Sequence, residues 1–133
     1  MASLPLRLVY SVDAEARLVM ARASGKLTFN EIVGYAAGLR ADHRFSPAFS
    51  EIIDLRSVES VSLTAREVMT LADSIDPFSA NSKRAFVVRN QDQVNAAHLH
   101  RILRPPTKTI QVFHSIEGAR EWITAAAEAA AAR

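Results

Sequence analysis

Polar and charged residues stand where a ligand would bind in a protein built from alternating strands and helices. They follow predicted strands or begin a predicted helix, and in open α/β sheets the carboxyl ends of the strands face the binding crevice. A helix N-terminus beside them favours a carboxylate or a phosphate. An alternative is that the arginines only pair with nearby acids, because strand ends generally carry polar side chains. The candidate binding residues are Asp54, Arg56, Ser62, Thr64, Arg89, Asn90, His114 and Ser115.

The residue types that catalysis needs do not form a recognisable arrangement. The chain has no cysteine and four histidines, and neither a Ser-His-Asp nor a Cys-His arrangement is legible. His98 lies on an apolar helical stripe without other metal-binding side chains at helical spacing, so we expect it to bond to a backbone group. For Asp54 to resemble the phosphoacceptor of receiver domains, an acidic pair would have to precede the first helix, and none does. We therefore expect that the protein is not an enzyme and that it has neither a metal site nor a cofactor.

Small residues form a stripe on the outer face of the first predicted helix. Glycine within an exposed helix costs up to about 1 kcal/mol relative to alanine, so these glycines need a reason. Small side chains let another surface approach closely, which indicates a homodimer contact or the wall of a ligand groove. An alanine-rich chain would also produce such a stripe by chance. The candidate interface residues are Gly34, Ala37, Gly38 and Ala41, with Tyr35 at the margin as an anchor.

The elements that position these residues alternate along the chain. Period-two alternation predicts an N-terminal hairpin, with Gly25 breaking its second strand. Capping boxes at Thr28 and Thr64 begin two helices, and further helices are predicted from about Gln91 to Arg104 and after Ser115. The predicted strands cover residues 6–13, 17–23, 49–55, 84–89 and 109–113. The order ββαβαβαβα predicts an α/β fold with a mixed sheet of about five strands and right-handed parallel crossovers.

The composition of the chain is that of an ordinary globular domain. Of its 133 residues, 49% are hydrophobic and 23% charged, with a net charge of +2. The charges are scattered, so we expect no nucleic-acid partner, and no apolar run approaches the roughly 20 residues that span a bilayer. The lack of cysteine and of a signal-peptide core favours a cytoplasmic protein. We expect one domain over residues 1–123 and an alanine-rich helical extension over 124–133.

Several segments resemble the bacterial SpoIIAA-like family of the STAS superfamily, the anti-sigma-factor antagonist domains. The resemblance runs from about residue 6 to 123 and is carried mostly by strand and helix ends. These are the hairpin start, the strand end at 52–58, the helix exit Asp76-Pro77-Phe78 and the patterns at 110–113 and 119–123. The resemblance implies a small α/β module that binds partners.

In the best-known branch of that family, a serine at the start of the helix after the third strand is phosphorylated. The matching stretch here is Ser62-Leu63-Thr64-Ala65, so the acceptor position is Leu63. Ser62 or Thr64, on either side of Leu63, is the hydroxyl that could accept a phosphoryl group in its place. Thr64 is already explained as the predicted N-cap of the helix.

The leading interpretation is a non-catalytic regulatory or protein-interaction module of STAS type, which presents the Thr64 helix and the loop before it to a protein partner. The alternative is a carrier or sensor of a small amphipathic or anionic, lipid-like ligand, because the superfamily is similar in topology to lipid-transfer domains. The ligand head would lie near Arg56, Arg89 and the start of the Thr64 helix. Its tail would lie among Phe49, Met69, Phe78 and Phe86.

Overall fold

The N-terminal hairpin is present where the alternation predicted it. The computed structural model describes residues 8–90 and 109–131, and the helix predicted over 91–104 lies outside them. Strand β1 (Leu8–Asp13) pairs antiparallel with β2 (Leu18–Thr28). The turn between them is closed by the Asp13 carboxylate, which accepts a hydrogen bond from the Ala16 N–H at 3.0 Å.

Strands β2 and β3 (Ser50–Ser62) are longer than the sequence predicted. Gly25 was expected to end β2, but the strand continues through it to Thr28. The reason is that glycine accepts a φ of 69° at this position, where the pairing register shifts by a bulge. Strand β3 likewise continues past its predicted end, and its last residues pair with those of β2.

The five strands lie in the sheet in the order of the sequence. β4 (Arg84–Val87) pairs parallel with β3, and β5 (Ile110–Phe113) pairs parallel with β4. Because the hairpin pair is antiparallel and the other three pairs of the described strands are parallel, the predicted mixed sheet is confirmed.

Three helices accompany the sheet in the described residues. Helix α1 (Phe29–Ala41) begins at Thr28, whose hydroxyl oxygen accepts the Glu31 N–H at 3.4 Å. Helix α2 (Ala65–Thr70) is short and passes into a π-helical turn, Leu71–Ile75. Helix α3 (Ile116–Ala131) continues into the alanine-rich segment. None of the helices within the described residues is long and apolar enough to cross a membrane.

The core has two layers, one on each face of the sheet. Successive residues of a strand point to opposite faces, so Ile53 joins the layer under α1 with Leu39, whereas Ile52 joins the layer under α3 with Ala119 and Ile123. The sheet is therefore covered by α1 on one face and by α3 on the other.

Candidate functional site

Most of the predicted crevice residues lie at one edge of the sheet. Strands β3, β4 and β5 are adjacent and parallel, and Asp54, Val87 and Phe113 lie in register across them. The residues that follow these positions therefore meet at the carboxyl edge, as expected for parallel strands. The structure brings to this edge Asp54, Arg56, Arg89, Asn90, His114 and Ser115.

Side chains at this edge are engaged with their own protein. Arg56 donates two hydrogen bonds of 2.9 Å to the Asp54 carboxylate, which also accepts the Arg56 backbone N–H at 3.0 Å. Arg89 lies 3.4 Å from the Val58 carbonyl, and His114 Nδ1 lies 3.2 Å from the Val88 carbonyl. An anion bound here would have to compete with Asp54 for the Arg56 guanidinium.

The carboxylate of Asp54 is held in its charged form. Partial burial would raise its pKa, but the hydrogen bonds from Arg56 and the attraction of the Arg56 and Arg22 charges outweigh burial and lower the pKa below its ordinary value. The alternative weighed for these positions, an arginine paired with a neighbouring acid, therefore describes Asp54 and Arg56.

Ser62 and Thr64 do not join this edge. Strand β3 does not end near Leu55 but continues to Ser62, and eight residues at about 3.3 Å each separate Ser62 from Asp54 by up to roughly 26 Å. The crevice expected between the strand ends and the start of the Thr64 helix is therefore divided along the length of β3. Its residues lie in two separate places because the β2–β3 pair extends beyond β4.

The capping box at Thr64 is complete. The Thr64 hydroxyl oxygen accepts the Glu67 N–H at 3.1 Å, and the Thr64 N–H donates to the Glu67 carboxylate at 2.9 Å. The helix that it starts buries none of its six residues. Ala65, Arg66 and Met69 are exposed, Met69 by 49%, and we refer to these three residues as the α2 surface.

The small-residue stripe is exposed only in part. Gly34, Ala37 and Ala41 face solvent, whereas a Cβ added to Gly38 would lie 2.6 Å from the Tyr10 hydroxyl. The packing of Tyr10 therefore explains this glycine within a single chain.

Tyr35 is not an anchor for a partner. Its side chain lies on the inner side of α1, and its hydroxyl donates to a Glu51 carboxylate oxygen at 2.6 Å. The expectation that it lies at the margin of an interface is wrong, because its ring is drawn into the core by this bond and by the Tyr10 ring 5.4 Å away.

A buried ionic cluster lies at a place where no site was predicted from the sequence. Glu51 is 1% exposed and Arg84 is 6% exposed. Arg84 donates to one Glu51 oxygen from Nε at 2.9 Å and from Nη2 at 2.8 Å, and its Nη1 donates to Asp76. Together with the Tyr35 hydroxyl, these residues form the buried cluster: Tyr35, Glu51, Asp76 and Arg84.

The buried cluster was not predicted from the sequence because it depends on the pairing of two strands. Glu51 and Arg84 are register partners on β3 and β4, 33 residues apart in the chain. The available signal was a charged residue directly before an apolar run at the beginning of each of the two strands. That signal acquires meaning only when the two strands are known to be neighbours.

The side chains of the buried cluster have a structural role. Every buried side-chain nitrogen or oxygen in the described residues has a hydrogen-bond partner, as buried polar groups require. Burial raises the pKa of Tyr35 well above its ordinary value, and the charge of Glu51 and the hydrogen bond to it act in the same direction. Over residues 8–90 and 109–131, no group of histidine, aspartate and glutamate side chains is placed to hold a metal ion.

Comparison with known proteins agrees with the predicted fold. No family model and no curated protein matches the chain. An uncharacterized protein of the DUF3478 family with a SpoIIAA-like fold, from Shewanella loihica PV-4, superposes with a TM-score of 0.61 at 17% identity, over 92% of this chain and 98% of that one. An anti-sigma factor antagonist from Mycobacterium paratuberculosis superposes with a TM-score of 0.55 at 17% identity, over 92% and 99%. The resemblance in the sequence is thus confirmed at the level of architecture, and the chain has a SpoIIAA-like fold.

Proposed function

We propose that this protein is a non-catalytic regulatory module that binds a protein partner through the α2 surface. The observation that carries the proposal is that α2 is well capped but exposed. The helix has a complete capping box, yet none of its residues is buried in its own protein and Met69 is half exposed. The anti-sigma factor antagonist of similar fold supports a protein as the ligand.

The residues of the α2 surface suit a protein contact. Methionine and arginine are both enriched at protein interfaces, and Arg66 and Met69 lie three residues apart, on neighbouring positions of one helical face. Methionine adapts its unbranched side chain to irregular surfaces. Because the capping box already orders the backbone, a partner would bind a preformed helix and would not have to fold it.

The residues considered for a lipid-like ligand do not favour the carrier alternative. Phe49 and Phe78 are buried and pack against Phe45, with ring centroids 6.0 and 5.2 Å apart. They therefore fill core space, whereas Met69 is exposed on α2. The residues considered for the head are divided between the carboxyl edge and the distant end of β3.

A homodimer is a separate part of the proposal. It would use the exposed members of the small-residue stripe, Gly34, Ala37 and Ala41, which lie on α1 with no Cβ neighbour within 4 Å at Gly34. Close helix approach through small residues supports it.

The test compares capture of cellular proteins by the unchanged protein, by Met69→Glu and by Val9→Glu. Val9 is the matched control, because it is the other exposed large hydrophobic residue of the described chain, 37% exposed on β1. We expect Met69→Glu to reduce the recovery of a specific protein by about tenfold or more, while Val9→Glu retains it. Both substitutions should change the free energy of unfolding by less than about 0.5 kcal/mol. The proposal is wrong if the two variants recover the same proteins in the same amounts as the unchanged chain.

A further inference from the structure

The helix that carries the α2 surface changes its hydrogen-bond register at its C-terminal end. The Leu71 N–H still donates to the Glu67 carbonyl, as in an α-helix. The Asp76 N–H instead donates to the Leu71 carbonyl at 2.8 Å, five residues back. A π turn of this kind accommodates one residue more than an α turn, is rare, and is frequent at functional sites.

The π turn ends in the buried cluster. Asp76 accepts a hydrogen bond from Arg84 Nη1, and its other carboxylate oxygen accepts the Phe78 N–H at 3.1 Å. Arg84 is itself fixed by the two bonds to Glu51 and lies over the Phe78 ring, 4.6 Å from its centroid. The position of Asp76 is therefore set by side chains of β3 and β4.

Helix α1 holds the same turn from its other side. Arg40 Nη2 lies 3.4 Å from the Asp76 carbonyl and 3.5 Å from the Ser74 carbonyl. Tyr35, one turn earlier on α1, donates to Glu51 and so joins α1 to the same cluster. The end of the π turn is thus connected to α1, β3 and β4, whereas no residue of α2 itself is buried.

We propose that the buried cluster holds the turn Leu71–Ile75 in the π register and so sets which face of α2 is exposed. An α-helix turns by about 100° per residue. If the turn changed from the π to the α register, which holds one residue fewer, the α2 surface would rotate by about that angle relative to Asp76. Asp76 is then a positioning residue for α2, because it holds the end of the π turn in place. The consequence for partner binding rests on the proposed function, but the positioning itself does not.

The test is amide hydrogen exchange of the free protein, compared between the unchanged chain, Asp76→Asn and Asp42→Asn. Asp42 is the matched control, because its carboxylate also pairs with an arginine but on the surface: Arg44 donates to it at 3.0 and 2.8 Å. We expect Asp76→Asn to accelerate exchange in residues 65–76 by roughly tenfold or more, with much smaller changes in β3 and β4. Asp42→Asn should leave residues 65–76 unchanged.

Two results would overturn the proposal. In one, Asp76→Asn leaves exchange in residues 65–76 as it was; in the other, it accelerates exchange equally throughout the sheet, which would mean that the cluster supports the whole fold. If Asp76→Asn does not fold, the exposed variant Arg40→Gln decides. It should accelerate exchange several-fold in residues 65–76 alone, and no acceleration there would refute the positioning.

The hydrogen-exchange test does not depend on the protein partner, because it uses the free protein. Faster exchange of α2 together with unchanged capture by Met69→Glu would refute the proposed function and leave the positioning in place. Unchanged exchange in Asp76→Asn together with lost capture by Met69→Glu would refute the positioning and support the proposed function.

Discussion

At the scale of the residue, Tyr35 shows how a single hydroxyl group makes the stability of the fold depend on alkaline pH. Its hydroxyl is buried and bonded to a carboxylate, and its pKa is raised well above the usual value, chiefly by burial. The folded state therefore favours neutral tyrosine. Its stabilising effect is present below the unfolded-state pKa of about 10 and is lost as the pH rises through the folded-state pKa.

We predict that Tyr35→Phe lowers the free energy of unfolding at neutral pH by about 1–3 kcal/mol, because Glu51 loses a buried donor. The difference from the unchanged protein should shrink above pH of about 10, where the unchanged chain loses the contribution of neutral Tyr35. Denaturant unfolding across the alkaline range measures both effects. A difference that stays constant with pH would contradict the raised pKa.

The two glycines of α1 should respond in opposite directions to the same change. Gly34→Ala meets no atom within 4 Å and gains helix propensity, so we expect the protein to become more stable by up to about 1 kcal/mol. Gly38→Ala places a methyl group against the Tyr10 hydroxyl, whose ring packs on Tyr35, and should cost about 1–3 kcal/mol. Thermal unfolding of the two variants gives the comparison. Equal gains in stability would show that Tyr10 does not restrict position 38.

At the scale of the element, helix caps have different consequences in α2 and α3. Ser115 caps α3 by accepting the Gly118 N–H at 3.1 Å, and α3 packs Ala119 and Ile123 into the core. Thr64 caps α2, which buries none of its residues. Loss of the first cap therefore affects a helix of the core, and loss of the second affects a helix at the surface.

We predict that Ser115→Ala lowers the global free energy of unfolding by about 1 kcal/mol, the usual value of an N-cap. Thr64→Ala should change the global value less and accelerate amide exchange mainly in residues 65–70. Denaturant unfolding and hydrogen exchange on both variants measure the two effects. The account of α2 as a weakly packed helix fails if Thr64→Ala costs as much global stability as Ser115→Ala.

Local patterns explain which elements the sequence predicted. The capping box at Thr64 and the alternation of β1 depend on neighbours a few residues apart, and both are present as predicted. The length of β3 depends on its pairing with β2 beyond Gly25, where a positive φ lets the strand continue. This non-local pairing separated Thr64 from the carboxyl edge.

The same difference between local and non-local patterns applies to the candidate site residues and the buried cluster. Asp54 and Arg56 were recognised because both lie at one strand end, and they do lie at the carboxyl edge. The bond between Glu51 and Arg84 joins strands that are distant in sequence, so no local pattern indicated it.

At the scale of the whole molecule, the α/β fold described over residues 8–90 and 109–131 has the short helix α2 at its surface. The faces of the sheet are covered by α1 and α3, whereas α2 continues directly into the turn that ends in the buried cluster. The fold is shared with an anti-sigma factor antagonist. A surface helix that is capped, anchored at its end and exposed is consistent with a module that acts by contact with another protein.

The measurement that tests this claim most directly is a native mass spectrum of the complex captured from cells, recorded before and after denaturation. We predict that the native sample carries the mass of a second polypeptide, that denaturation releases it, and that Met69→Glu lacks it while Val9→Glu retains it. A small-molecule mass that disappears on denaturation, with no second polypeptide, would contradict the protein-binding account and favour the carrier.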